Sequence, residues 1–123
     1  MRTASFVLMA MLSLTSQSLA AEATKKKDLS VLYVGNVTTP RGKSYTAFLS
    51  KRFRRVENAE RVGFDPQKAA AFDVVLLDWS QRDRKEKSPP PLGPKADWNK
   101  PTVLLGSAGL LLAEKWEIHG AIG

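Results

Sequence analysis

Three short runs rich in valine and leucine constrain the fold of this chain more than any other feature. They occupy residues 31–34, 74–77 and 103–105, and each is apolar at every position. A strand of this kind is covered on both faces, as in parallel sheets, whereas a half-buried strand alternates between apolar and polar residues. The runs therefore predict the central strands of a parallel sheet with helices on both sides.

A helix is predicted between the first two runs. Within residues 44–56 the larger apolar side chains recur at helical spacing: Tyr45, Phe48, Leu49, Phe53 and Val56. The arginines of residues 52–55 would then lie in the last turns, where cations complement the helix dipole.

The other segments extend an alternating order of strands and helices. Residues 56–61 predict a short edge strand, and Asp65 and Pro66 predict the start of a brief helix, because Asp suits the cap and Pro the first helical position. Ser107 is expected to cap the next helix, and residues 116–123 to begin a further strand. This order predicts a flavodoxin-like, doubly wound, mostly parallel sheet in three α/β/α layers, incomplete at its C-terminus.

Residues 81–100 break the pattern. They begin with a charged tract, continue with three successive prolines and contain a Gly-Pro pair. Proline runs favour extended polyproline geometry, and Gly-Pro pairs mark turns. The segment predicts a long proline-rich loop.

The N-terminus has the layout of a secretory signal peptide: one early cation, an apolar run of residues 4–14 and small residues near position 20. The apolar run is about half of the roughly 20 residues that cross a bilayer, so no membrane span is expected after cleavage. We predict a signal peptide at 1–20, a basic disordered linker at 21–28 and one α/β domain at 29–123. The mature protein would be periplasmic or extracellular.

Composition narrows the chemistry. The chain has no cysteine, which excludes a thiol nucleophile and cysteine–zinc sites. Its 19 Lys and Arg against 12 Asp and Glu leave a net charge of +7. The basic residues are not interleaved with aromatic ones, as a platform for single-stranded nucleic acid would require, so no nucleic-acid partner is expected. No metal site or cofactor is predicted either.

Three segments carry a resemblance to a known family: the strand at 29–35, the strand at 72–79 after an alanine-rich helix, and the strand, turn and helix at 102–113. Together they resemble the class I glutamine-amidotransferase-like superfamily, particularly its exported branch of trehalose-utilisation-like proteins. The resemblance implies that Ser107 occupies the turn where active members carry a cysteine. Residues 72–79 and 101–108 are also similar to strands of response-regulator receiver domains, which implies Asp78 as a phosphoryl acceptor.

Ligands of doubly wound sheets gather beyond the carboxyl ends of the strands. Here those ends carry the expected ligand-binding residues Asn36, Asp78, Trp79 and Ser107. The leading hypothesis is an exported, non-catalytic domain that binds a small polar or carbohydrate ligand, or a protein partner, at this edge. The alternatives are a hydrolase that uses Ser107, with His119 as a candidate base, and a degenerate receiver with Asp78 as acceptor.

Overall fold

The computed structural model describes residues 25–80 and 89–119. Four parallel strands form one sheet in the order β2-β1-β3-β4. The strands are β1 (Lys27–Gly35), β2 (Phe53–Glu60), β3 (Val74–Asp78) and β4 (Thr102–Leu105). The helices are α1 (Pro40–Ser50) and α2 (Ala108–Lys115), with 3₁₀ helices at Pro66–Ala71 and Lys95–Asp97. This strand order confirms the flavodoxin-like α/β fold.

The two faces of the sheet are covered by different elements. Helix α1 packs through Leu49 on Val31 and Tyr33 of β1. On the opposite face lie the first 3₁₀ helix, the loop after β3 and helix α2, and Leu32, Val75 and Leu77 are fully buried there. The sheet is only partly covered: Val103 of β4 is 46% exposed.

Both predicted ends of the first helix were wrong. Helix α1 begins at Pro40, where the hydroxyl of Thr39 accepts a hydrogen bond from the Gly42 amide, and it ends at Ser50. Residues 53–56 belong to β2, which pairs with β1 from Phe53 to Glu60. Backbone hydrogen bonding to β1 therefore outweighed the helical spacing of Phe53 and Val56. The arginines of residues 52–55 lie in this edge strand or directly before it.

The start of the second helix was predicted correctly. Asp65 accepts a hydrogen bond of 2.9 Å from the Gln67 amide, and Pro66 is the first helical residue. The segment winds as a 3₁₀ helix. At the N-terminus, β1 begins at Lys27, so the last two residues of the predicted linker are part of the sheet.

The strand predicted at 116–123 is not formed in residues 116–119. Helix α2 ends there in a Schellman motif: the Ile118 amide donates to the Ala113 carbonyl and the Glu117 amide to the Glu114 carbonyl. Glu117 takes the left-handed conformation that closes this motif, with φ of 51°. The chain is thus turned rather than extended where the strand was expected.

Several predictions fall outside the described residues: the signal peptide, the first part of the linker, the charged part of the proline-rich loop and residues 120–123. The rest of that loop is irregular apart from one 3₁₀ turn, and it contributes buried Pro90 and Leu92 to the core. Within residues 25–80 and 89–119, no helix is long and apolar enough to cross a membrane.

Candidate functional site

The turns that follow β1, β3 and β4 meet at the carboxyl edge of the sheet. Gly35 lies so close to β3 that a Cβ atom there would stand 3.2 Å from the Cβ of Asp78. Gly106 lies beside the next turn, where a Cβ atom would stand 2.7 Å from the Ser80 Oγ. These close approaches bring Asn36, Asp78 and Ser107 to one edge, as the topology predicts.

Asp78 is the most unusual side chain at this edge. It ends the central strand β3, is only 6% exposed and carries a carboxylate. Its Oδ2 accepts hydrogen bonds from the Tyr33 hydroxyl at 2.9 Å and from Arg41 Nε at 2.8 Å. A buried charge is stable only when it is paired and hydrogen-bonded, and these two contacts meet that need for one of its oxygen atoms.

The other oxygen, Oδ1, is buried and accepts no hydrogen bond from the residues that the structure describes. A buried acceptor left without a donor costs about 1–3 kcal/mol. Such a group calls for an explanation, and this one lies at the edge where parallel sheets bind their ligands.

The neighbours of Asp78 keep their protons. Burial, and then the hydrogen bond to Asp78, raises the pKa of Tyr33 far above its ordinary value, so its hydroxyl remains a donor. The hydrogen bond to Asp78 likewise raises the pKa of Arg41, which stays a cation. The edge therefore holds a fixed carboxylate between one neutral donor and one positive donor.

The start of α1 positions Arg41. Gly42 packs directly on the preceding turn, where a Cβ atom would clash with the Asn36 carbonyl oxygen. This contact, with the Thr39 cap, sets the first turn of α1 against the end of β1. Arg41 then reaches Asp78 with a side chain that is 54% exposed and lies 5.1 Å above the ring of Tyr45.

Asn36 and Trp79 have contrasting surroundings. Asn36 is exposed on the turn after β1, at the edge where the sequence predicts it. Trp79 is 9% exposed and belongs to the core on the α2 side of the sheet. The guanidinium of Arg61 lies 4.7 Å above its ring. Trp79 is therefore covered by protein rather than turned toward the edge.

Ser107 and His119 are not brought together. Ser107 immediately precedes α2 and His119 follows it, so a helix of eight residues, about 12 Å long, separates them. Ser107 is at the cap position as predicted, but its side chain makes no capping hydrogen bond, because its backbone is already helical. His119 is exposed.

Three contributors to this edge were missed from the sequence: Tyr33, Arg41 and Arg61. Tyr33 carried a usable signal, because a hydroxyl inside an otherwise aliphatic buried strand needs a partner. Arg61 is 3% exposed; its amide donates to the Gly35 carbonyl and its guanidinium to the Ser80 carbonyl. It ties the turns after β1 and β3 together, and nothing in its local sequence indicates burial.

In the described part of the chain, no three His, Cys, Asp or Glu side chains converge as a metal site. Comparisons with family models, curated proteins and solved structures gave no match to this chain.

Proposed function

We propose that this protein is an exported, non-catalytic α/β domain that binds a small polar ligand, carbohydrates included, at the carboxyl edge of its sheet. Asp78 is the anchor. The observation that carries the proposal is the buried Oδ1 of Asp78, which lacks a protein donor among the described residues. Export is supported by the signal-peptide layout of residues 1–20.

The contacts of Asp78 define what the ligand must offer. Oδ1 accepts only, so the ligand presents a hydroxyl or an amino group. Of the two protein partners, Tyr33 is fully buried and Arg41 is half exposed, so the solvent side of the carboxylate is the Arg41 side. Arg41 uses only Nε on Asp78, which leaves its terminal nitrogens as donors for a ligand oxygen. A polyol meets both requirements.

The two catalytic alternatives have less support. A hydrolase would need a base near Ser107, and His119 lies at the far end of α2. A receiver-type phosphoryl acceptor needs an acidic pair after the first strand to hold magnesium, and this chain carries Gly35 and Asn36 there.

The binding test is an amide-resolved NMR titration of the ¹⁵N-labelled chain with glycerol, glucose, trehalose and ethanolamine. We expect at least one probe to shift the amides of Gly35, Asn36 and Ser80. Asp78→Asn should abolish the response. The asparagine side chain has the same shape, but its NH₂ group can take the place of Oδ1 and cannot accept a hydrogen bond from the ligand. Asp73→Asn, at the exposed other end of β3, is the matched control and should respond like the unmodified protein.

The proposal fails if no probe shifts these amides, or if Asp78→Asn responds as the unmodified protein does. Export has a separate readout, the mass of the protein recovered outside the cytoplasm of a bacterial host. Loss of about 20 N-terminal residues supports it. An intact chain retained inside the cell contradicts it.

A further inference from the structure

A groove lies at the end of the sheet opposite Asp78, near the amino ends of β3 and β4. It encloses about 390 Å³ between the first 3₁₀ helix and the loop before β4. Ala70 and Lys100, which line it, lie four and two residues before those two strands. Its volume falls within the range of about 300–1,000 Å³ that is typical of small-ligand sites.

Trp98 forms an aromatic wall of this groove and is held in place. Its indole N–H donates to the Thr102 hydroxyl at 2.8 Å, and part of its ring packs against the core. Because the ring is anchored both by the hydrogen bond and by packing, it is pre-organised. A fixed aromatic face favours a ligand with a flat, apolar face of its own.

Polar groups surround this wall. Gln67 and Asn99 line the groove, and their side chains make no hydrogen bond to any described residue. Each amide offers one acceptor and two donors, the combination that neighbouring hydroxyl groups can satisfy. They stand on different elements, the 3₁₀ helix and the loop before β4, so a bound molecule can contact both.

The charges of the lining balance. Asp97 is its one carboxylate and Lys100 its one cation among the described residues. The Lys100 ammonium is already held by the carbonyls of Ala70 and Phe72, at 3.1 and 2.8 Å. The groove therefore favours a neutral ligand over an ion.

We infer that this groove binds a neutral pyranose sugar, stacked on Trp98 and hydrogen-bonded by Gln67 and Asn99. A pyranose combines an apolar C–H face with vicinal hydroxyls, which matches the aromatic wall and the two amides. The site is separate from the Asp78 edge and goes beyond the function proposed above.

The test follows the indole N–H resonances of the three tryptophans during titration of the full chain with methyl α-glucopyranoside. We expect the Trp98 signal to shift, and the double variant Q67A/N99A to weaken binding about tenfold. Both substitutions are on exposed side chains, so folding should be unaffected. Trp98→Ala removes the aromatic wall and should abolish binding measured through the Asn99 amide; unchanged binding would overturn the inference.

Cyclohexanol is the matched probe, because it has a six-membered ring with a single hydroxyl. Equal binding of cyclohexanol and the glucoside would overturn the inference in favour of a merely apolar pocket. No shift at Trp98 would also overturn it. Asp78→Asn should leave this titration unchanged; if that variant removes the response, the sugar belongs to the carboxyl edge and the groove site is wrong.

Discussion

The two carboxylates that flank strand β3 face opposite physical problems. Asp73, before the strand, is exposed, and its Oδ2 accepts hydrogen bonds of 2.7 Å from both the amide and the hydroxyl of Ser30. Its own amide donates back to the Ser30 hydroxyl. Asp78, the last residue of the strand, is buried, relies on two side chains from distant elements and keeps one oxygen without a donor among the described residues.

This difference shows that the two carboxylates have different roles in the fold. Asp73 completes a reciprocal contact that joins the starts of β1 and β3, and water can reach it. Asp78 carries a desolvation cost at the edge where parallel sheets bind ligands. The same residue type therefore acts as a clamp at one end of the strand and as a candidate anchor at the other.

The largest expected effect comes from removing the cation beside Asp78. Breaking a fully buried ion pair costs about 3–5 kcal/mol. Because the Arg41 side chain is 54% exposed and water can replace it in part, we expect Arg41→Ala to lower the free energy of unfolding by about 2–3 kcal/mol. Urea denaturation measures this. Arg54→Ala is the control, because the Arg54–Asp28 pair is exposed on both sides and should cost about 1 kcal/mol or less. If Arg41→Ala and Arg54→Ala lose the same stability, the Arg41–Asp78 pair contributes no more than a surface ion pair.

The hydroxyl of Tyr33 is the next test of the buried end. Tyr33→Phe removes a hydrogen bond to a charged acceptor, and we expect a loss of about 2 kcal/mol in the free energy of unfolding. The matched control is Tyr45→Phe, because Tyr45 stacks on Tyr33 but its hydroxyl bonds no described residue. If both variants lose the same stability, the contact with Asp78 contributes nothing specific.

Close packing of the carboxyl edge predicts that a side chain at Gly35 destabilises the fold. In Gly35→Ala the added methyl group would stand 2.7 Å from the Tyr33 hydroxyl oxygen, so we expect overpacking to cost about 1–3 kcal/mol. Gly109→Ala is the control, since its nearest neighbours would be 3.8 Å away and alanine favours a helix by about 0.5–1 kcal/mol. Thermal melts should show a lower Tm for Gly35→Ala and a higher Tm for Gly109→Ala than for the unmodified protein.

The smallest effect concerns the exposed end. Hydrogen bonds from Ser30, chiefly from its hydroxyl, lower the pKa of Asp73 below its ordinary 3.8. A lowered pKa in the folded protein stabilises it at pH values above 3.8, and this contribution is lost as the pH falls through the folded-state pKa. Below about pH 3.8, the stability of Asp73→Asn should therefore fall less steeply with decreasing pH than that of the unmodified protein. Thermal melts at a series of pH values measure this. Parallel curves would show that Ser30 does not favour the ionised form.

Much of the fold was predictable, because the strands carry their signal locally. Continuous apolar runs indicated β1, β3 and β4, and Asp65 with Pro66 indicated the next helical start. The bounds of α1 were not predictable from spacing, since the pairing of Phe53 with Lys27 depends on a strand remote in sequence. The position of Asp78 at the carboxyl edge was predicted, but its partners were not: they lie 37 and 45 residues away along the chain.

The sequence by itself determined the class of fold and the edge at which polar residues gather. Both follow from the hydrophobic pattern and the order of strands along the chain. Only the tertiary structure decided that Asp73 is exposed and bonded to Ser30, and that Asp78 is buried with one oxygen unpartnered among residues 25–80 and 89–119. It also separated Trp79, enclosed under Arg61, from Trp98, which lines a groove. Burial and hydrogen-bond partners depend on distant segments meeting, and that information exists only once the sheet has formed.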